Sequence, residues 1–159
     1  MGRKFWKKNG YSESDLILYA MDHIVSAQYL YHLSGSRGVD SAGYLSHLGI
    51  ELLLKSLLLH HLEYFTDDHR LISLYESLPD VVKTLTDKEF EMLTRWDSFF
   101  MIKYPNPSSP MPAGSHQWTE ARQISQSIIN LMPKHLHDIA VTYGKEQPTQ
   151  KGGRTLYKL

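Results

Sequence analysis

Apolar residues recur along this chain at three- and four-residue intervals in five segments, and none shows a convincing strand-like alternation, so the pattern predicts an all-α protein. Ile17, Met21, Ile24 and Tyr31 form the stripe of a first helix over about 13–33, opened by Ser12 and Asp15 and ended by Gly35-Ser36-Arg37-Gly38. In the second segment, about 41–61, leucines 45, 48, 52, 53, 54, 57, 58, 59 and 62 cover most of the circumference, which places that helix at the centre of a bundle. A short third helix is expected from Thr66-Asp67-Asp68, packed through Leu71, Leu74, Tyr75 and Leu78 and closed by Pro79. Thr86 with Glu89 spells a capping box for a fourth, with Phe90, Leu93, Trp96 and Phe100 inward and Tyr104-Pro105 as its stop. The fifth starts near Gln117 or Thr119, carries Ala121, Ile124, Ile128 and Leu131 on one face, and must kink or break at Pro133, which lacks an amide proton. The expected architecture is an antiparallel up-and-down helical bundle of about five helices. A basic N-terminal arm (1–12) precedes the bundle (13–144), and a polar, flexible C-terminal tail (145–159) follows it.

Composition narrows this. The 159 residues include no cysteine, which removes disulfides and thiolate chemistry and fits a reducing, cytoplasmic setting. No run approaches the roughly 20 uninterrupted apolar residues of a membrane span, and the basic start has no apolar run behind it, so it does not read as a secretory signal. The 17 basic and 17 acidic residues cancel, but not evenly: residues 1–8 carry +4 and residues 145–159 carry +3, leaving −7 on the body between. A broad phosphate-binding face is therefore not expected on the body.

Candidate chemistry is sparse. His47, Glu51 and Lys55 lie at i, i+4 and i+8 on the second helix and so share one line. They read either as an internal ion pair that sets helix docking or as a polar strip lining a ligand groove, and burial in a mostly apolar helix favours the first. His60, His61 and His69 near Asp67 and Asp68, and His135 with His137 and Asp138, are metal-ligand types. Neither set has the i, i+4 histidine pair that shares one ion, and no metal or cofactor is expected. There is no Gly-x-Ser-x-Gly elbow or phosphate-cradling glycine loop, and Ser108, Ser109 and His116 in and after the proline-rich stretch do not amount to a triad. Lys103 and Tyr104 at a helix end read as a dipole-favoured cation with a packing plug, or as a stacking and phosphate contact. Phe5 and Trp6 among Arg3, Lys4, Lys7 and Lys8 could pack on the bundle, touch RNA or meet an anionic membrane.

The order Gly49-Ile50-Glu51-Leu52-Leu53-Leu54-Lys55, then His69-Arg70-Leu71-Ile72-Ser73-Leu74, then Lys103-Tyr104-Pro105, then Glu120-Ala121 resembles the HEPN (higher eukaryotes and prokaryotes nucleotide-binding) domain family over about residues 14–140. These look like its Glu-x-x-x-Lys second helix, His-x-Leu-x-x-Leu third helix and Arg-Tyr-Pro junction. The resemblance implies a bundle that commonly dimerises and a groove for nucleotide or RNA. Two departures stand out. Lys103 replaces the junction arginine, losing its planar fork, and no arginine is followed by histidine five to seven positions later, as in the family's metal-independent ribonucleases.

The reading is a non-catalytic HEPN-like domain, expected as a homodimer, that binds a nucleotide, RNA or protein partner and accompanies a separate enzyme of a toxin–antitoxin or defence system. Its candidate contacts are Lys103, Tyr104, Arg95, Arg122, His69 and Arg70. The alternatives are a metal-independent ribonuclease with a rearranged centre, in which His69 or His116 moves the proton, and a purely structural interaction module.

Overall fold

The computed structural model describes residues 2–33, 38–99 and 115–145. Helices α1 (Glu13–Leu33), α2 (Val39–Leu62), α3 (Leu71–Glu76), α4 (Asp87–Asp97), α5 (Ser115–Asn130) and α6 (Lys134–Lys145) build it, with two short strands, β1 (Lys4–Trp6) and β2 (Tyr64–Thr66). The described residues form six helices where about five are expected, because Pro133 separates α5 from α6.

Side-chain pairings along the helices show an up-and-down bundle. Glu13 at the start of α1 lies beside His60 near the end of α2, and Ile24 midway along α1 faces Gly49 midway along α2, so the two run antiparallel. Glu89 early in α4 meets Ser127 late in α5, whereas Arg95 near the end of α4 meets Glu120 early in α5; these too are antiparallel. His135 at the start of α6 stacks near His60, and Tyr143 near its end reaches Asp22, so α6 runs alongside α1 in the same direction.

The leucine-rich α2 is buried on nearly every side, and Ile50, Leu53, Leu54 and Leu57 pack with Ile17 of α1, Leu93 and Trp96 of α4 and Ile124 and Ile128 of α5. By length and composition alone α2 could cross a membrane, but 78% of its apolar window is buried inside the bundle, as for a core helix. Its Gly49 is a close-approach position: a Cβ there would lie 2.5 Å from Cγ1 of Ile24 and 3.0 Å from the carbonyl oxygen of Ala20.

At the end of α2, Glu63 adopts a left-handed conformation (φ 62°) and turns the chain into β2. That turn is held from outside, since the amide of Lys7 donates to the Glu63 carbonyl at 2.9 Å. β1 pairs antiparallel with β2 in the register Lys4–Thr66, Phe5–Phe65, Trp6–Tyr64. Part of the basic arm is thus a strand on the bundle, closed by a 3₁₀ turn (Lys7–Asn9) that ends on left-handed Gly10. Thr66 belongs to this ribbon, so α3 starts at Leu71, later than the sequence pattern suggests.

The capping box of α4 is formed: the Thr86 hydroxyl accepts from the Glu89 amide, and the Glu89 carboxylate accepts from the Thr86 amide at 2.8 Å. The same carboxylate accepts from the Ser127 hydroxyl of α5, which with the Thr86 bonds holds Glu89 below its ordinary pKa of 4.5. A carboxylate depressed in this way stabilises the fold fully above its unfolded pKa, and that stability is lost as pH falls through the folded value. His61 acts in the same direction: burial, then the charge of His60, lowers it from 6.5, so its protonation opposes folding as pH falls below 6.5. The urea midpoint is therefore expected to decline from pH 6.5 downward and more steeply below 4.5, with Glu89→Gln flattening the lower limb. An acid limb identical in Glu89→Gln would contradict this role.

Candidate functional site

Four-residue spacing places His47, Glu51 and Lys55 on one line of α2, and all three are buried. Lys55 Nζ lies 2.6 Å from Glu51 Oε1 and 5.7 Å from the centre of the Phe65 ring. His69, from the loop before α3, brings Nδ1 to 3.1 and 3.2 Å from the two Glu51 oxygens. The ring nitrogens of His47 sit 3.0 Å from two carbonyl oxygens, Nδ1 from that of Trp96 in the last turn of α4 and Nε2 from that of His69, with Glu51 Oε2 3.8 Å away. A neutral imidazole carries one N–H and can donate to only one of these at a time. The cluster ties α2 to α4 and to the loop before α3, and only the His69 side chain, 64% exposed, opens to solvent.

Arg70 lies beside it, its Nη2 3.6 Å from Asp97 Oδ2. Asp97 also accepts from the Ile72 amide at 3.3 Å, and Asp68 accepts from the Arg70 amide at 2.9 Å and from the Ser73 hydroxyl. Two carboxylates thus supply the start of α3, whose first amides have no partner within the helix. Burial pushes the Asp68 carboxyl up, but those hydrogen bonds outweigh it and hold the group below its ordinary 3.8.

Arg95 offers no open fork. Its Nη2 and Nε lie 3.0 and 3.3 Å from the two oxygens of Glu120, and Glu91 is 3.7 Å from Nη1. Lys103, Tyr104 and the proline-rich stretch lie outside the described residues.

Arg122 is placed differently. It is exposed on α5, with no carboxylate of the described residues at ion-pair distance. It borders a groove of about 280 Å³ between α1, α5 and α6. Ile24, Ile129 and Ala140 contribute its apolar lining, Trp118 stands one helical turn before Arg122, and Gln28 and Gln126 add amides. The Trp118 ring packs 5.9 Å from that of Tyr31, whose phenol is raised above 10.0 by burial and so stays neutral. Trp118 was not singled out from the sequence; its spacing from Arg122 is the signal that could have found it.

His60, His61 and His135 gather at the other end of the bundle, with His60 4.8 and 5.5 Å from the other two rings. Among the described residues, no group of three histidine, aspartate or glutamate side chains is arranged to hold a metal ion.

Fold and groove together define an all-α helical bundle with an apolar cleft bordered by one arginine. Comparison of the chain with protein-family models, curated proteins and solved structures gives no match.

Proposed function

We propose that the chain binds a nucleotide, without turning it over, in the groove between α1, α5 and α6. The observation that carries this is the pairing of Trp118 and Arg122, one turn apart, at the edge of an apolar cavity of about 280 Å³. That volume is at the small end of ligand sites and suits a base with its sugar rather than a polymer. Trp118 supplies a face for stacking, Arg122 a planar fork for a phosphate, and Gln28 and Gln126 hydrogen-bonding groups for a base edge. The reading agrees with what the HEPN resemblance implies, and a homodimer and a separate partner enzyme belong to the same proposal.

Titration of the purified protein with AMP, read by tryptophan fluorescence and calorimetry at fixed ionic strength, tests it. Trp118→Ala is expected to weaken binding at least fivefold, in line with about 1–3 kcal/mol per stacked base. Arg122→Ala is expected to weaken it about tenfold or more and to reduce its salt dependence. Arg95→Ala, whose guanidinium is occupied by Glu120, should leave it unchanged. Undetectable binding at millimolar AMP, or equal affinity in the Trp118 and Arg122 variants, would overturn the proposal.

A second reading, a ribonuclease, is favoured by one geometry: a buried carboxylate, Glu51, faces Nδ1 of the exposed His69, the orientation that prepares a histidine for proton transfer. RNA cleavage in chelator that disappears in His69→Ala would establish that reading in place of the first.

A further inference from the structure

The β1–β2 ribbon presents two unlike faces. On the inner face Phe5 stacks on Phe65 (centroids 5.2 Å, interplanar angle 15°), and Tyr11 meets both rings edge-on at 5.5 and 5.4 Å. Strand alternation puts Lys4, Trp6, Tyr64 and Thr66 on the opposite face. There the Trp6 and Tyr64 rings lie 4.8 Å apart, each partly exposed. Lys4 Nζ is 3.9 Å from the Tyr64 ring centre and 5.6 Å from that of Trp6, and Lys8 Nζ is 5.3 Å from Trp6.

The cations around this ring pair are not equivalent. Lys7 is engaged by Glu13 at 2.6 Å and by Glu63 at 4.0 Å. Arg3, Lys4 and Lys8 have no carboxylate partner among the described residues, and Arg3 lies over the Phe5 ring at 5.1 Å. The nearby Asp67 is at the Gly2 end of the ribbon, where its amide donates to the Arg3 carbonyl and a Cβ on Gly2 would meet its Oδ1.

We propose that this outer face is a binding site for single-stranded nucleic acid, separate from the groove of α1, α5 and α6. Ring faces beside flexible cations match a ligand in which bases alternate with phosphates: a base stacks on Trp6 or Tyr64, and its flanking phosphates fall within reach of Lys4 and Lys8. A membrane surface is the poorer fit. Peripheral insertion needs apolar side chains turned outward, whereas Phe5 and Phe65 are turned in, Phe65 to 7% exposure. The net −7 of residues 9–144 repels phosphate elsewhere, so the contact is short.

That charge distribution sets a number. Two cations facing single-stranded phosphates give a slope of log K against log salt of about −1.4. The test is fluorescence anisotropy of the full chain with a labelled twelve-nucleotide oligouridylate between 50 and 200 mM KCl. The wild-type slope should be about −1.4, and Lys4→Ala/Lys8→Ala should bring it close to zero. Trp6→Ala/Tyr64→Ala should weaken binding tenfold or more, while Trp118→Ala and Arg122→Ala leave it unchanged. Urea midpoints and helical circular dichroism establish that each variant is folded, and the lysine pair leaves the ring packing in place. The proposal is overturned by absence of binding at 50 mM KCl or by a slope unchanged in the lysine variant. It is equally overturned if loss is confined to the groove variants, or if Trp6-dependent binding goes to phosphatidylserine vesicles and not to the oligonucleotide.

Discussion

Glu51→Ala is expected to lower folding stability by about 3–5 kcal/mol, because it strands a buried lysine. Lys55 is 5% exposed, its ammonium lies 2.6 Å from Glu51, and no other carboxylate of the described residues is at ion-pair distance from it. The substitution also removes the acceptor of His69 Nδ1, which loosens the loop that leads into α3. A pair of charges buried this way is not intrinsically more stabilising than apolar residues of the same volume; the cost arises from breaking it. Glu51→Leu with Lys55→Met should therefore recover most of the loss. Equilibrium urea denaturation of Glu51→Leu, Lys55→Met and the double variant measures the coupling directly. A loss below about 1 kcal/mol in Glu51→Ala would mean that the cluster is solvated and the helices do not depend on it.

Trp96→Ala carries an effect of similar size, about 3–5 kcal/mol, for a different reason. The side chain is 1% exposed and stacks on Phe99 at 4.3 Å with an interplanar angle of 20°, so truncation leaves a cavity between α2 and α4 that the remaining Phe99 ring cannot fill. Its carbonyl oxygen lies 3.0 Å from His47 Nδ1, so collapse around the cavity would also strain the polar cluster. Val81, 83% exposed, is the matched control: Val81→Ala should change stability by no more than about 0.5 kcal/mol. Comparable urea midpoints for the two variants would place Trp96 outside the core.

Much of this architecture is written in local patterns. The leucines of α2 mark a helix wetted on almost no side, Thr86 with Glu89 marks the start of α4, and Pro133 marks the break before α6. Each of these signals lies within a few residues of the structure it specifies. The ribbon is a different case, since strands of three residues are too short to show a period, and β1 is defined by pairing with a segment about sixty residues away.

The same division runs through the candidate sites. The alignment of His47, Glu51 and Lys55 follows from their spacing, but the arrival of His69 on Glu51 depends on how the loop after β2 folds back. Arg95 and Arg122 are alike as sequence, both exposed cations on helices flanking the proline-rich stretch. They differ because Glu120 of α5 occupies one fork and an apolar groove assembled from three helices adjoins the other. Trp118 gains its place from that assembly as well, standing between Tyr31 of α1 and the mouth of the groove.

Nucleotide binding between α1, α5 and α6 is tested most directly by mapping amide and indole resonances of the isotopically labelled protein during titration with AMP. Saturable shifts should centre on the Trp118 indole N–H and on residues near Ile24, Gln28, Arg122 and Ala140, with His69 and Arg70 unmoved. Saturable shifts centred on His69 and Arg70, or none at millimolar AMP, would contradict it.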